Sequence, residues 1–170
     1  MKMNTEATIR MIDNQFCQQA INIILPIQQL EFNIPITIKD QPDLNDIERN
    51  YHQTGGGFWG AMVDGQLAGT IGLISIGHQA GAIRKMFVKK EFRGKELGLA
   101  QQLLDQLIAH CKTVGITDLY LGTIDRLAAA IRFYERNHFK KIAKTDLPSY
   151  FPVMSADNVF YHLHINYDNV

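Results

Sequence analysis

Cysteine is scarce in this chain. Cys17 and Cys111 are the only two in 170 residues. That excludes a disulfide-stapled secreted scaffold. Each falls on the apolar stripe of a predicted helix, so both read as buried free thiols in a reducing compartment. Long apolar runs are also missing. None is long enough to span a bilayer, and the N-terminus lacks the apolar core of a signal peptide. A cytoplasmic protein with no membrane partner is expected. An excess of one charge is missing too, with 17 Lys+Arg against 17 Asp+Glu. That excludes bulk attraction to nucleic acid or to an anionic membrane. Positive charge gathers only locally, at Arg84, Lys85, Lys89, Lys90, Arg93 and Lys95. His162 and His164 share a face of the last predicted strand. No third ligand of fitting spacing accompanies them, so no metal site is expected.

An ordinary globular composition is present, with 46% apolar and 20% charged residues. That length and composition predict one domain, residues 1–170, able to bury a core. Ala7 to Ile12 reads as a first strand. A helix follows from about Asn14, with Phe16, Ala20, Ile23, Ile24 and Ile27 at helical spacing, and Pro26 kinking or ending it. A second helix is predicted from Pro42, with Leu44, Ile47 and Tyr51 on one face. After Thr54-Gly55-Gly56-Gly57, the run Phe58 to Val63 reads as a strand. Asp64-Gly65 is a strong hairpin signal, and Gln66 to Ile76 is the partner strand. A turn at Gly77-His78 leads to a third antiparallel strand ending at Val88. A helix with Ala100, Leu103, Leu104, Leu107, Ile108 and Cys111 on one stripe follows. Thr117 to Leu121 is then a strand, and a strand-helix-strand crossover makes it parallel to the one before. A helix over 125–137 and closing strands at 139–143 and 159–165 complete the chain.

The most informative stretch is Arg93-Gly94-Lys95-Glu96-Leu97-Gly98-Leu99-Ala100. It lies between a strand and a helix N-terminus. The unpaired N–H groups of a first helical turn and the helix dipole favour an anion there. A P-loop would need Gly-Lys-Ser/Thr, and a dinucleotide fold Gly-x-Gly-x-x-Gly; neither is present.

Placed on those elements, the chain resembles the GNAT superfamily of acetyl-CoA-dependent N-acetyltransferases. The match runs from Ile83 to Phe139. The loop Arg93-Gly94-Lys95-Glu96-Leu97-Gly98 is similar to the family's Arg/Gln-x-x-Gly-x-Gly/Ala. The helix Ala130-Ile131-Arg132-Phe133-Tyr134-Glu135-Arg136-Asn137-His138-Phe139 is similar to Ala-Ile-x-Phe-Tyr-Glu-x-x-Gly-Phe. Glu96 and His138 stand where the family usually has glycine. His138 would then need a left-handed backbone at a helix end. Glu96 would need its carboxylate turned away from bound phosphates. The implied fold is α+β, with a mixed, mostly antiparallel central sheet and helices on both faces.

The resemblance implies acetyl-CoA as co-substrate and a small-molecule primary amine as acceptor. It leaves room for a homodimer. Pantetheine would lie along Met86, Phe87 and Val88 like an added strand. A backbone N–H near Met86 or Phe87 would stabilise the oxyanion. The pyrophosphate would rest on Arg93, Gly94, Lys95, Glu96, Leu97 and Gly98. Tyr134 is the implied general acid for the departing thiolate, and it also borders the cofactor. Glu31, in a segment that would face the acceptor, is the candidate general base, ahead of Glu48 and His78. The segments 31–36, 55–59 and 148–152 are expected around the acceptor, with Trp59 and Tyr150 as contacts. The same fold also admits a CoA-binding or protein-interaction module without turnover.

Overall fold

The structure, a computed structural model, describes residues 6–167. Seven strands form one sheet: β1 (Ala7–Met11), β2 (Gly57–Val63), β3 (Gln66–Ser75), β4 (Ala80–Val88), β5 (Asp118–Thr123), β6 (Lys140–Ile142) and β7 (Val159–His164). Their order across the sheet is β1-β2-β3-β4-β5-β7-β6. Only β4 and β5 run parallel. The crossover between them is helix α3 (Leu99–Val114). Helices α1 (Cys17–Pro26) and α2 (Ile47–Asn50) cover one face of the sheet. Helix α4 (Ala128–Arg136) lies with α3 on the other.

The period-two pattern explains this division. Phe58 of β2 packs with Ile24, Leu44 and Tyr51, while Trp59, Ala61 and Val63 pack with Leu103, Leu104 and Leu107. The sheet is therefore apolar on both sides, as a sheet covered by helices must be. The β2–β3 hairpin turns at Asp64 and Gly65, both at positive φ (50° and 77°). That is the backbone an Asp-Gly turn is chosen for. Both cysteines are free, and burial pushes the Cys111 thiol up to about 12.

One open expectation is resolved and two are corrected. Of the two outcomes expected at Pro26, the α-helix ends there. Pro26 closes α1, and the chain widens into a π turn over Ile27–Glu31, where Phe32 N–H donates to Ile27 C=O at 3.1 Å. The helix predicted from Pro42 is broken into a 3-10 turn, Pro42–Asn45, and the short α2. Asp46 interrupts it and caps the restart, accepting from Arg49 N–H at 3.1 Å. Leu44, Ile47 and Tyr51 still share one buried face. The helix expected over 125–137 begins only at Ala128, because residues 124–127 form a separate turn.

The feature that builds the site is a bulge. Thr70 pairs with Phe87 and Gly72 with Arg84, so Lys85 and Met86 oppose the single residue Ile71. Lys85 carries the extra residue's strain, at φ 55°. Thr70 Oγ1 fixes the bulge by donating to Lys85 C=O at 2.7 Å. Such a bulge bends its strand. The β4–β5 ladder accordingly covers only Ala80–Ala82 against Asp118–Tyr120. From Ile83 onward β4 diverges from β5, and the sheet opens into a wedge.

Candidate active site

Two cavities meet at this wedge. The larger, about 510 Å³, runs from β4 to the N-terminus of α3. Met86, Phe87 and Val88 form one wall. Gly94, Gly98, Leu99, Ala100 and Gln101 form the end, and Ala129, Ala130 and Phe133 of α4 form the other wall. Gly98 caps α3 at φ 57°, and Gly94 sits at φ 126°, a conformation that side chains avoid. Leu99, Ala100 and Gln101 are the first helical residues, whose N–H groups have no acceptor within the helix. A long, mostly apolar trough ending on helix N–H groups suits a ligand with an apolar arm and an anionic end.

The smaller cavity, about 240 Å³, lies on the other side of the bulge. Gln28 and Ile34–Ile36 come from the N-terminal layer. Arg84, Lys85 and Met86 come from β4, Gly122 and Thr123 from β5, and Tyr134 from α4. Met154–Asp157 close it from the loop before β7. Met86, Phe87, Leu127 and Ala130 border both cavities. A molecule reaching along the first can therefore meet one held in the second.

The groups expected at the cofactor divide as follows. Met86, Phe87, Val88, Arg93, Gly94, Lys95 and Gly98 line the larger cavity. Glu96 and Leu97 do not. Glu96 is exposed, and it is absent from the residues at positive φ. Its carboxylate therefore stays off the trough without backbone strain. Leu97 leans on the main core, and its C=O accepts from Gln102 Nε2 at 2.6 Å. Tyr134 borders the smaller cavity instead, with its hydroxyl donating to Met86 Sδ at 3.6 Å. Burial pushes its phenol well above the ordinary value, so it keeps its proton at neutral pH. His138 takes the left-handed backbone its position requires, at φ 71°.

Glu31 lies outside the walls of both cavities. Its carboxylate accepts from Arg93 Nη1 at 2.6 Å, and that bond holds it below the usual carboxylate value. Arg93 also donates from Nε to Val88 C=O at 2.8 Å. The pair joins the π turn to the anion loop across the mouth of the trough. Glu48 accepts from Asn14 N–H at 3.1 Å, which ties α2 to the turn before α1. His78 stacks on Tyr150, ring centroids 3.9 Å apart. His162 and His164 both contact Asp118 Oδ1, at 2.8 and 3.1 Å. No group of three or more metal-ligating side chains exists among the described residues.

Of the segments expected around the acceptor, residues 34–36 line the smaller cavity and residues 55–59 do not. Trp59 is buried in the core, edge-on to His110. Residues 148–152 also miss it. Phe151 is buried against Ala82 and Phe160, and Pro152 C=O accepts from Arg84 Nη2. The neighbouring residues 154–157 occupy that wall instead.

Sequence reasoning missed Lys85 and Asp157. The Lys85 side chain is only 7% exposed. Its ammonium donates to Gln41 Oε1 and lies 3.8 Å from Asp43, whose Oδ2 also accepts from Tyr51 at 2.5 Å. Gln41 and Gln28 exchange side-chain amide bonds at 2.8 and 3.1 Å. Desolvation lowers the Lys85 pKa, and Asp43 opposes that. The available signal for Lys85 was a basic residue inside the apolar run of a predicted strand. For Asp157 it was an acid placed directly before the closing strand.

This geometry finds its counterparts among known proteins. Residues 21–139 match the model of the Acetyltransferase (GNAT) family. An acetyltransferase of the GNAT family from Staphylococcus aureus Mu50 is similar over 94% of this chain and 99% of its own, with 43% identity and a TM-score of 0.91. An acetyltransferase from Streptococcus agalactiae shares the fold at a TM-score of 0.89 and 24% identity, covering 94% of this chain and 98% of its own. N-acetylaspartate synthetase of Danio rerio is 32% identical over 106 residues, which is 61% of this chain and 37% of that protein. The chain spans 37% to 64% of the length of the curated relatives it matches. The chain belongs to the GNAT acetyltransferase family. No helix among its described residues is long and apolar enough to cross a membrane.

Proposed function

We propose that the protein is an N-acetyltransferase that moves the acetyl group of acetyl-CoA to the primary amine of a small molecule. The observation that carries this reading is the junction of the two cavities at Met86 and Phe87, with the Tyr134 hydroxyl beside it. The larger trough suits the donor. Its apolar walls fit the pantetheine arm, and its helix N-terminus with Gly94 and Gly98 fits the pyrophosphate. Lys95 and Arg93 add positive charge. The smaller cavity, about 240 Å³, suits an amine of modest size.

The thioester carbonyl then lies near the β4 bulge, where a backbone N–H of Met86 or Phe87 stabilises the developing oxyanion. The amine attacks directly, and the C–S bond breaks. Tyr134 protonates the departing thiolate. Burial keeps the phenol protonated at neutral pH, and its bond to Met86 Sδ holds the hydroxyl at the junction of the two cavities.

The test is a thiol-release assay with acetyl-CoA and amines drawn from amino acids, polyamines, amino sugars and short peptides. At least one amine is expected to raise thiol release well above the amine-free rate. Tight acetyl-CoA binding without stimulation by any of them would leave a binding module.

A further inference from the structure

Two carboxylates border the smaller cavity: Asp40 accepts from Thr37 N–H and Oγ1 at 2.9 and 3.1 Å, and Asp157 is left idle by the scheme above. Asp157 is half-buried in the cavity wall. No described side chain or N–H is within hydrogen-bonding geometry of its carboxylate, unlike Glu31, Asp43, Asp46 and Asp118. The backbone holds it in place. Asp157 N–H donates to Met154 C=O at 3.1 Å, closing a turn. The next residue, Asn158, ties that turn to β5. Its N–H donates to Thr123 C=O at 2.9 Å, and its Oδ1 accepts from Asp125 N–H at 3.0 Å. The carboxylate lies over Gly122, where an added Cβ would come within 2.5 Å of Asp157 Oδ2. The missing side chain at Gly122 is what makes room for it.

We infer that Asp157 docks the acceptor's primary ammonium and takes its proton, an inference that rests on the acetyltransferase reading above. The charges around it suit that task. Arg84 and Lys85 of β4 act on it electrostatically, Asp40 and Tyr134 border the same cavity, and Asp43 lies behind Lys85. The two cations and three carboxylates leave one negative charge over. A monocationic ammonium neutralises it. Burial raises the Asp157 pKa, and Arg84 and Lys85 temper the rise. A carboxylate so raised is a better proton acceptor than Glu31, which Arg93 holds low.

The protons balance. R–NH3+ gives one proton to Asp157, which passes it to water. The neutral amine forms the C–N bond as the C–S bond breaks. The nitrogen loses a second proton, which replaces the one Tyr134 gives to the thiolate. The net products are the amide, the free thiol and one proton.

The test uses the full chain, acetyl-CoA, and a probe panel of L-aspartate, spermidine, phenethylamine and a neutral dipeptide. Profiles of kcat/KM against pH are measured with whichever probe the wild type turns over best. Asp157→Asn is expected to lose about 100-fold or more at pH 7. Its acid limb should vanish and leave only the amine's own ionisation. Acetyl-CoA affinity by calorimetry should stay within twofold. Gly122→Ala, which displaces the carboxylate and leaves it chemically intact, should lose an intermediate amount and move the acid limb. An unchanged acid limb with turnover within threefold of wild type in Asp157→Asn would overturn the assignment. A wild type that binds acetyl-CoA and acetylates no probe would remove the transferase reading itself, and the role of Asp157 with it.

Discussion

The two cavities are built in opposite ways. The larger trough, proposed for the donor, comes largely from one continuous stretch, from Met86 on β4 through the 93–98 loop to Gln101 on α3, completed by α4. The smaller cavity, proposed for the acceptor, takes a few residues from each of several distant segments: Gln28, residues 34–36, Arg84–Phe87, residues 121–124, Tyr134 and residues 154–157. The donor side relies on backbone groups, glycines and a helix end. The smaller cavity relies on side chains, with charged and polar groups such as Gln28, Asp40, Arg84, Lys85, Tyr134 and Asp157 set among apolar ones. A site made of backbone can bind one fixed ligand under wide sequence change. A site made of side chains from separate segments can change its ligand with few substitutions and no change of fold.

The contrast can be tested by breaking each side separately. Tyr134→Phe should have the largest effect of the following three. It removes the proton for the thiolate and should lower kcat about 100-fold, with acetyl-CoA affinity within twofold in calorimetry. Full activity would take Tyr134 out of the mechanism. Gly94→Ala attacks the donor side through the backbone alone, because no atom stands within 4 Å of the added Cβ. Its φ of 126° makes alanine strained, at about 1–3 kcal/mol. Acetyl-CoA should bind about tenfold more weakly, while the acceptor KM stays unchanged. Equal losses for both ligands would argue against two separable sites. Glu31→Gln should matter least. Its pair with Arg93 is partly exposed, the two side chains 24% and 36% accessible, so it contributes under about 1 kcal/mol. The sign with pH follows from the lowered Glu31 pKa. The contribution is present at neutral pH and fades as pH falls through the carboxylate range. Chemical denaturation at pH 7 and pH 3 should show a wild-type advantage over Glu31→Gln only at pH 7.

The same contrast decides what the sequence discloses. The junction at 93–98 was legible as structure because its residues are contiguous and their chemistry is local: a strand, glycines, then a helix start. The sheet was legible because hairpin turns and the crossover set the order of neighbours. The acceptor site was less so. Glu31 looked available, but folding brings Arg93 within 2.6 Å of it across 62 residues. Asp157 drew no reading from the sequence, and the pairing of β5 with β7 is what lays it over Gly122. Spacing carries no record of such meetings. The break in the helix after Pro42 was hidden for a different reason. The three buried positions fit one continuous helix, and the Asp46 cap overrode that pattern locally.

Lys85 joins two layers of the molecule. Its backbone makes the bend in β4, but its ammonium is fastened to Gln41 and Asp43, outside the sheet. The hinge of the wedge is thus tethered to the N-terminal layer, like a guy-rope fixed to separate ground. A change at Gln41 or Asp43 would therefore act on the bend, and on the width of the smaller cavity, from a distance.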